Sequence, residues 1–105
     1  MSDANYSFTW LKNEENTKEL REALSKLTGN DFERAERAEL TAGNNAPLLS
    51  WTKSFQARIA AKALGVPAPE IRNLPIKEYN AITHEVFNFL YGTSEESVLE
   101  KPIEG

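Results

Sequence analysis

Leu48, Trp51, Phe55, Ile59 and Ala63 recur at spacings of three and four between Pro47 and Gly65. That period puts their side chains on one face of a helix, while Lys53, Arg58 and Lys62 take other faces. A single helix of this length is marginal in water until its apolar stripe is covered. The segment therefore commits the chain to helix-on-helix packing more firmly than any other feature. Pro47 suits a first helical turn, where its missing N–H is no loss. Gly65 suits the residue just past the last turn, where left-handed backbone is needed.

Other segments supply the covering faces. Asn16 reads as the cap of a first helix, with Glu19 three residues on, and Leu20, Ala23, Leu24 and Leu27 then share a face. Asn30 and Glu33 repeat the cap pattern for a second helix over residues 31–40. Its inner face carries Phe32, Ala35 and Ala38, with Glu39 at the rim; Glu33, Arg34, Glu36 and Arg37 face outward. The spacing predicts a short helical turn over residues 70–74. A last helix follows Pro75, with Ile76, Tyr79, Ile82, Val86, Phe89 and Leu90 as its stripe, Phe87 beside it and Gly92 as its stop.

The two ends differ from the middle. Tyr6, Phe8 and Trp10 alternate with Ser7 and Thr9, the period of a half-buried strand. With no second strand in the chain, this run either pairs with another molecule or lies as an extended arm across the helices. Residues 93–105 contain four glutamates and one lysine with scattered Val98, Leu99 and Ile103, the composition of a flexible acidic tail. The expected fold is mainly α. It is a small bundle of about four helices, with a short N-terminal extended segment and a flexible acidic C-terminal tail. Residues 1–92 form one helical domain and 93–105 the tail.

Charge and composition exclude several functions. The 105 residues suffice for one domain, and the formal net charge is -4. That sign opposes long-range attraction to nucleic acid or anionic lipid. No cysteine is present, so disulfides, thiolate catalysis and cysteine-bound zinc are all ruled out. The N-terminus lacks a signal pattern, and no apolar run approaches the ~20 residues needed to span a bilayer. A soluble, cytoplasmic protein is expected.

No constellation of residues reads as catalytic. His84 is the single histidine and has no convergent partner in its pattern, since the adjacent Glu85 points to another side of the helix. The glycines are scattered, which excludes a phosphate loop, and no cofactor or metal set is evident. Ala61, Gly65 and Ile71 have helix-turn-helix spacing. The helix that would read DNA is cut short by Pro75, however, and carries Arg72 as its one cation beside Glu70. Aromatics are the more informative class. They are numerous for one layer of short helices, and surplus aromatic surface concentrates binding energy. Tyr6, Phe8, Trp10, Trp51, Phe87 and Tyr91 are the candidate partner-binding residues. If the Trp51 ring is core, its truncation to alanine costs ~3–5 kcal/mol; if it faces a partner, the melting temperature survives and binding is lost.

Four stretches carry a family resemblance. They are Leu27-Thr28-Gly29-Asn30-Asp31-Phe32-Glu33-Arg34-Ala35-Glu36-Arg37, Phe55-Gln56-Ala57-Arg58-Ile59-Ala60-Ala61-Lys62-Ala63-Leu64-Gly65-Val66, Ile71-Arg72-Asn73-Leu74-Pro75-Ile76-Lys77-Glu78-Tyr79 and Val86-Phe87-Asn88-Phe89-Leu90. Over about two thirds of the chain this pattern resembles the tail assembly chaperones of long-tailed bacteriophages. The resemblance implies a non-catalytic protein of the bacterial host cytoplasm, absent from the finished virion. Its expected partners are the tape-measure protein, which it coats, and the tail-tube protein, which a longer frameshifted form recruits. Self-association along the filamentous client is also implied. A helix-turn-helix regulator and a helical adaptor with an unrelated partner are the alternatives.

Overall fold

The computed structural model describes residues 8–92, which form five α-helices and one 3-10 turn. The elements are α1 (Glu14–Leu24), α2 (Gly29–Thr41), the 3-10 turn (Leu49–Trp51), α3 (Lys53–Leu64), α4 (Ala68–Arg72) and α5 (Ile76–Tyr91). The chain is mainly α, as the periodicity predicts, and no strand occurs among the described residues. The expected acidic tail, residues 93–105, lies outside them, and so does Tyr6.

α3 is the central element. α1, α2, α4, α5 and the 3-10 turn all pack on it. Its buried residues are Phe55, Gln56, Ala57, Ile59, Ala60 and Ala61, which run around most of its circumference. The stripe that marks this helix in the sequence therefore understates its burial. Small side chains at Ala57, Ala60 and Ala61 let neighbouring helices approach closely, because interaxial distance follows the size of the contact residues. Phe55 is fully buried and meets Phe32 of α2 edge-to-face, with ring centroids 5.0 Å apart. Leu20 and Leu24 of α1, Ile71 of α4, and Ile82 and Val86 of α5 complete the core, with Leu74 just after α4.

The helix ends follow local chemistry, with shifts from the predicted registers. α1 is capped by Asn13 and not by Asn16: the Asn13 side chain accepts the Asn16 N–H at 2.7 Å. Asn16 instead donates its side-chain amide to Leu11 O at 2.8 Å, which ties the preceding chain to the first turn. α2 likewise starts earlier than predicted, at the Thr28 cap and not at Asn30. Asp31 reaches back to accept the Thr28 N–H at 2.9 Å, the reciprocal half of a capping box. That amide is the main cause holding the Asp31 carboxyl below its ordinary range. Gly65 and Gly92 adopt left-handed backbone, φ 72° and 68°, and end α3 and α5 as predicted. Val66 N–H closes onto Ala61 O at 3.0 Å past Gly65, the six-to-one bond of a Schellman turn.

The described part of the N-terminal run is an arm laid on the helices. Phe8 N–H donates to Glu70 Oε1 at 2.8 Å, and Phe8 packs against the core. Trp10 goes further and joins the core at 6% exposure. This corrects the expectation that Trp10 faces a partner: its ring is a packing residue that fastens the arm.

Candidate partner-binding face

One break in the chain creates the face. The sequence stripe from Leu48 to Ala63 predicts one continuous helix, but the structure divides it at Thr52. Thr52 has extended backbone, φ −91° and ψ 147°, and caps α3 by accepting the Phe55 N–H at 3.3 Å. A β-branched residue with a hydroxyl suits that position, because it satisfies an otherwise unpaired N–H. Residues before the break leave the helical register. Pro47 therefore does not open α3, and Leu48 and Trp51 leave the buried stripe: they are 60% and 55% exposed.

Trp51 then meets α5 from the side. Phe87 and Tyr91 are four residues apart and share a face of that helix. The Trp51 ring lies edge-to-face on Phe87, with centroids 4.9 Å apart and planes at 80°. Tyr91 closes the triangle at 5.6 Å from Trp51 and 5.3 Å from Phe87. Such pairs contribute about 0.5–1.5 kcal/mol beyond burial. The Tyr91 hydroxyl hydrogen-bonds Ser50 Oγ in the 3-10 turn, and Gln56 Nε2 of α3 donates to Ser50 O at 3.1 Å. The turn is thus pinned at both sides, and the aromatic triangle is held in place while much of it stays open to solvent. Three of the six sequence candidates, Trp51, Phe87 and Tyr91, are brought together here. Phe8 and Trp10 lie elsewhere, on the arm.

A second apolar surface lies on another side of the same end of α5. Leu24, Leu27, Phe32, Ile59, Phe89 and Leu90 line a groove of about 350 Å³. Phe89 is 42% exposed within it. Nothing in the local pattern marks this groove, because its lining comes from four helices.

Among the described residues, Glu39 and Glu85 are buried glutamates. Glu39, expected at the rim of its helix, has 1% exposure. It accepts from Asn44 Nδ2 and Arg58 Nε, both at 2.7 Å, and from Ser54 Oγ at 3.1 Å. Burial pushes its carboxyl up, but the donors Asn44, Arg58 and Ser54 and the Arg58 charge outweigh burial and hold it below its ordinary range. Glu85 on α5 accepts Arg21 Nε at 3.1 Å and faces Lys12 Nζ at 3.5 Å. His84 beside it is exposed. Among the described residues, no three His, Cys, Asp or Glu side chains group to hold a metal ion. None of the described helices is long and apolar enough to cross a membrane.

The helix-turn-helix spacing maps onto α3, the Gly65 turn and α4. The element that would enter a groove of DNA is five residues long. Its cation, Arg72, is partly exposed and tied to the domain, donating to Ser54 Oγ at 2.9 Å and reaching Glu39 Oε2 at 3.5 Å.

No protein-family model, curated protein or solved structure matches the chain.

Proposed function

We propose that this chain is a tail assembly chaperone of a long-tailed bacteriophage or prophage, which works by binding and not by catalysis. Its client is the tape-measure protein, and its second partner is the tail-tube protein. The partly exposed triangle of Trp51, Phe87 and Tyr91 carries the reading. A cluster of aromatic side chains left open on a small helical domain is costly to keep unless a partner covers it. Rigid rings already held in position lose little entropy on binding, so they make efficient anchors for the apolar stripe of a long helix. The groove around Phe32 and Phe89 offers a second contact of the same kind on the same domain. Two apolar surfaces on one small domain suit a protein that coats a filamentous client. The resemblance in the sequence supplies the identity of that client.

The test is to look downstream of the coding region for a long, helix-rich reading frame and to co-express its product with this chain. The chaperone reading expects a slippery run near the stop codon, a soluble complex of the two proteins, and loss of that complex in Trp51→Ala with the fold retained. An isolated gene with no such frame, or a complex indifferent to both Trp51→Ala and Phe87→Ala, would remove the reading.

A further inference from the structure

Glu39 belongs to α2, yet its carboxylate joins four segments. Oε2 faces the helices: Arg58 Nε and Ser54 Oγ of α3, at 2.7 and 3.1 Å, and Arg72 Nη2 of α4, at 3.5 Å. Oε1 faces the loop and accepts Asn44 Nδ2 at 2.7 Å. The same Asn44 amide also donates to Thr52 Oγ1 at 3.2 Å. Thr52 Oγ1 in turn donates to Leu49 O at 2.7 Å, while it accepts the Phe55 N–H that starts α3. A continuous line of hydrogen bonds therefore runs from a buried charge to both ends of the 3-10 turn that carries Trp51.

The arrangement is more specific than burial of a salt bridge requires. Arg58 and Arg72 alone neutralise the carboxylate, and both engage the same oxygen. The other oxygen is directed at the loop. Asn44 is held there a second time, by its own N–H on Glu39 O at 2.9 Å, and its side-chain oxygen accepts the Ala46 N–H at 3.1 Å. Charge-assisted bonds to a fixed, buried acceptor are the strong and directional kind. A loop held by them keeps one geometry where a solvated loop samples many.

We propose that Glu39 is a positioning residue for the partner-binding face: through Asn44 and Thr52 it sets where the 3-10 turn holds the Trp51 ring against Phe87 and Tyr91. The inference rests on reading that triangle as the binding surface, but its test needs no client.

The measurement is NMR on the isotope-labelled full chain, following contacts between the Trp51 indole and the Phe87 and Tyr91 rings. Glu39→Gln removes the charge at nearly constant shape. Asn44→Ala cuts the line at a half-buried loop residue and serves if Glu39→Gln does not fold. Glu85→Gln is the control, a second buried carboxylate whose ion pairs go to Arg21 and Lys12 and not to the loop before the turn. Loss of the Trp51 ring contacts in Glu39→Gln or Asn44→Ala, with the Ile82 and Val86 methyl shifts retained, is the expected result. Glu85→Gln should lower the melting temperature and leave the Trp51 contacts in place. Unchanged ring contacts in both Glu39→Gln and Asn44→Ala would overturn the proposal, as would equal loss in Glu85→Gln. Failure of the wild-type chain to bind a tape-measure protein sinks the chaperone reading instead and leaves these ring contacts as measured.

Discussion

Phe55 and Trp51 lie four residues apart in one apolar stripe, and they end in opposite environments. Phe55 is fully buried at the centre of α3, edge-to-face on Phe32. Trp51 is 55% exposed, edge-to-face on Phe87. Both sit in aromatic pairs of similar geometry, so the pairing itself does not distinguish them. What does is Thr52, whose extended backbone takes Trp51 out of the helical register. The same residue type at the same period thus does packing work on one side of a cap and presents a surface on the other.

That contrast can be broken from its buried side first. Phe55→Ala should cost about 4 kcal/mol, because truncating a buried ring loses transfer energy and leaves a cavity. Chemical denaturation checks it, and a cost near zero would mean that α3 is not the centre of the core. Glu39→Ala should cost about 2 kcal/mol, less than a fully buried pair, because Arg58 and Arg72 are partly exposed and can turn to solvent. Its pH dependence has a definite sign. The Glu39 carboxyl is held below its ordinary range in the fold. Its contribution is therefore complete above the unfolded carboxylate pKa of about 4.3 and is lost as pH falls through the lower folded value. Wild type and Glu39→Gln should converge in stability on acidification below that range, and melting curves across pH check this.

Smaller effects sharpen the comparison at the cap. Thr52→Ala should cost about 1 kcal/mol, the worth of an N-cap, and should loosen Trp51 more than Phe55. Near-ultraviolet circular dichroism and melting curves read the two consequences separately. Trp51→Ala comes last: it should cost only about 1 kcal/mol of stability, the scale of an exposed aromatic pair, while abolishing client binding. A cost as large as that of Phe55→Ala would put Trp51 in the core.

Much of this architecture was legible in the chain. The helices announced themselves because apolar residues at Leu20, Leu24, Ile59, Ile82 and Val86 repeat at the helical period, and Gly65 and Gly92 stop helices for a reason local to each glycine. The caps were harder. Asn13 and Asn16 are both competent, and Asn13 prevails in a structure where Asn16 anchors the backbone at Leu11. Within the candidate face, aromatic type and number pointed to Trp51, Phe87 and Tyr91. The same criterion also selected Trp10, which is buried, because aromatic content alone does not separate anchor from core.

The sequence by itself determined the helical class, the approximate elements and the surplus of aromatic side chains, since these depend on neighbours within a few residues. Only the tertiary structure decided that α3 is buried around most of its circumference, that Glu39 lies inside, and that Trp51 lies outside. The burial of α3 and Glu39 depends on side chains far away in sequence, and the turn that Thr52 releases is held by distant ones as well: Arg72 is 33 residues from Glu39, and Tyr91 is 41 from Ser50. A stripe shows which face of a helix is apolar; which residues another element covers is a property of the assembled core.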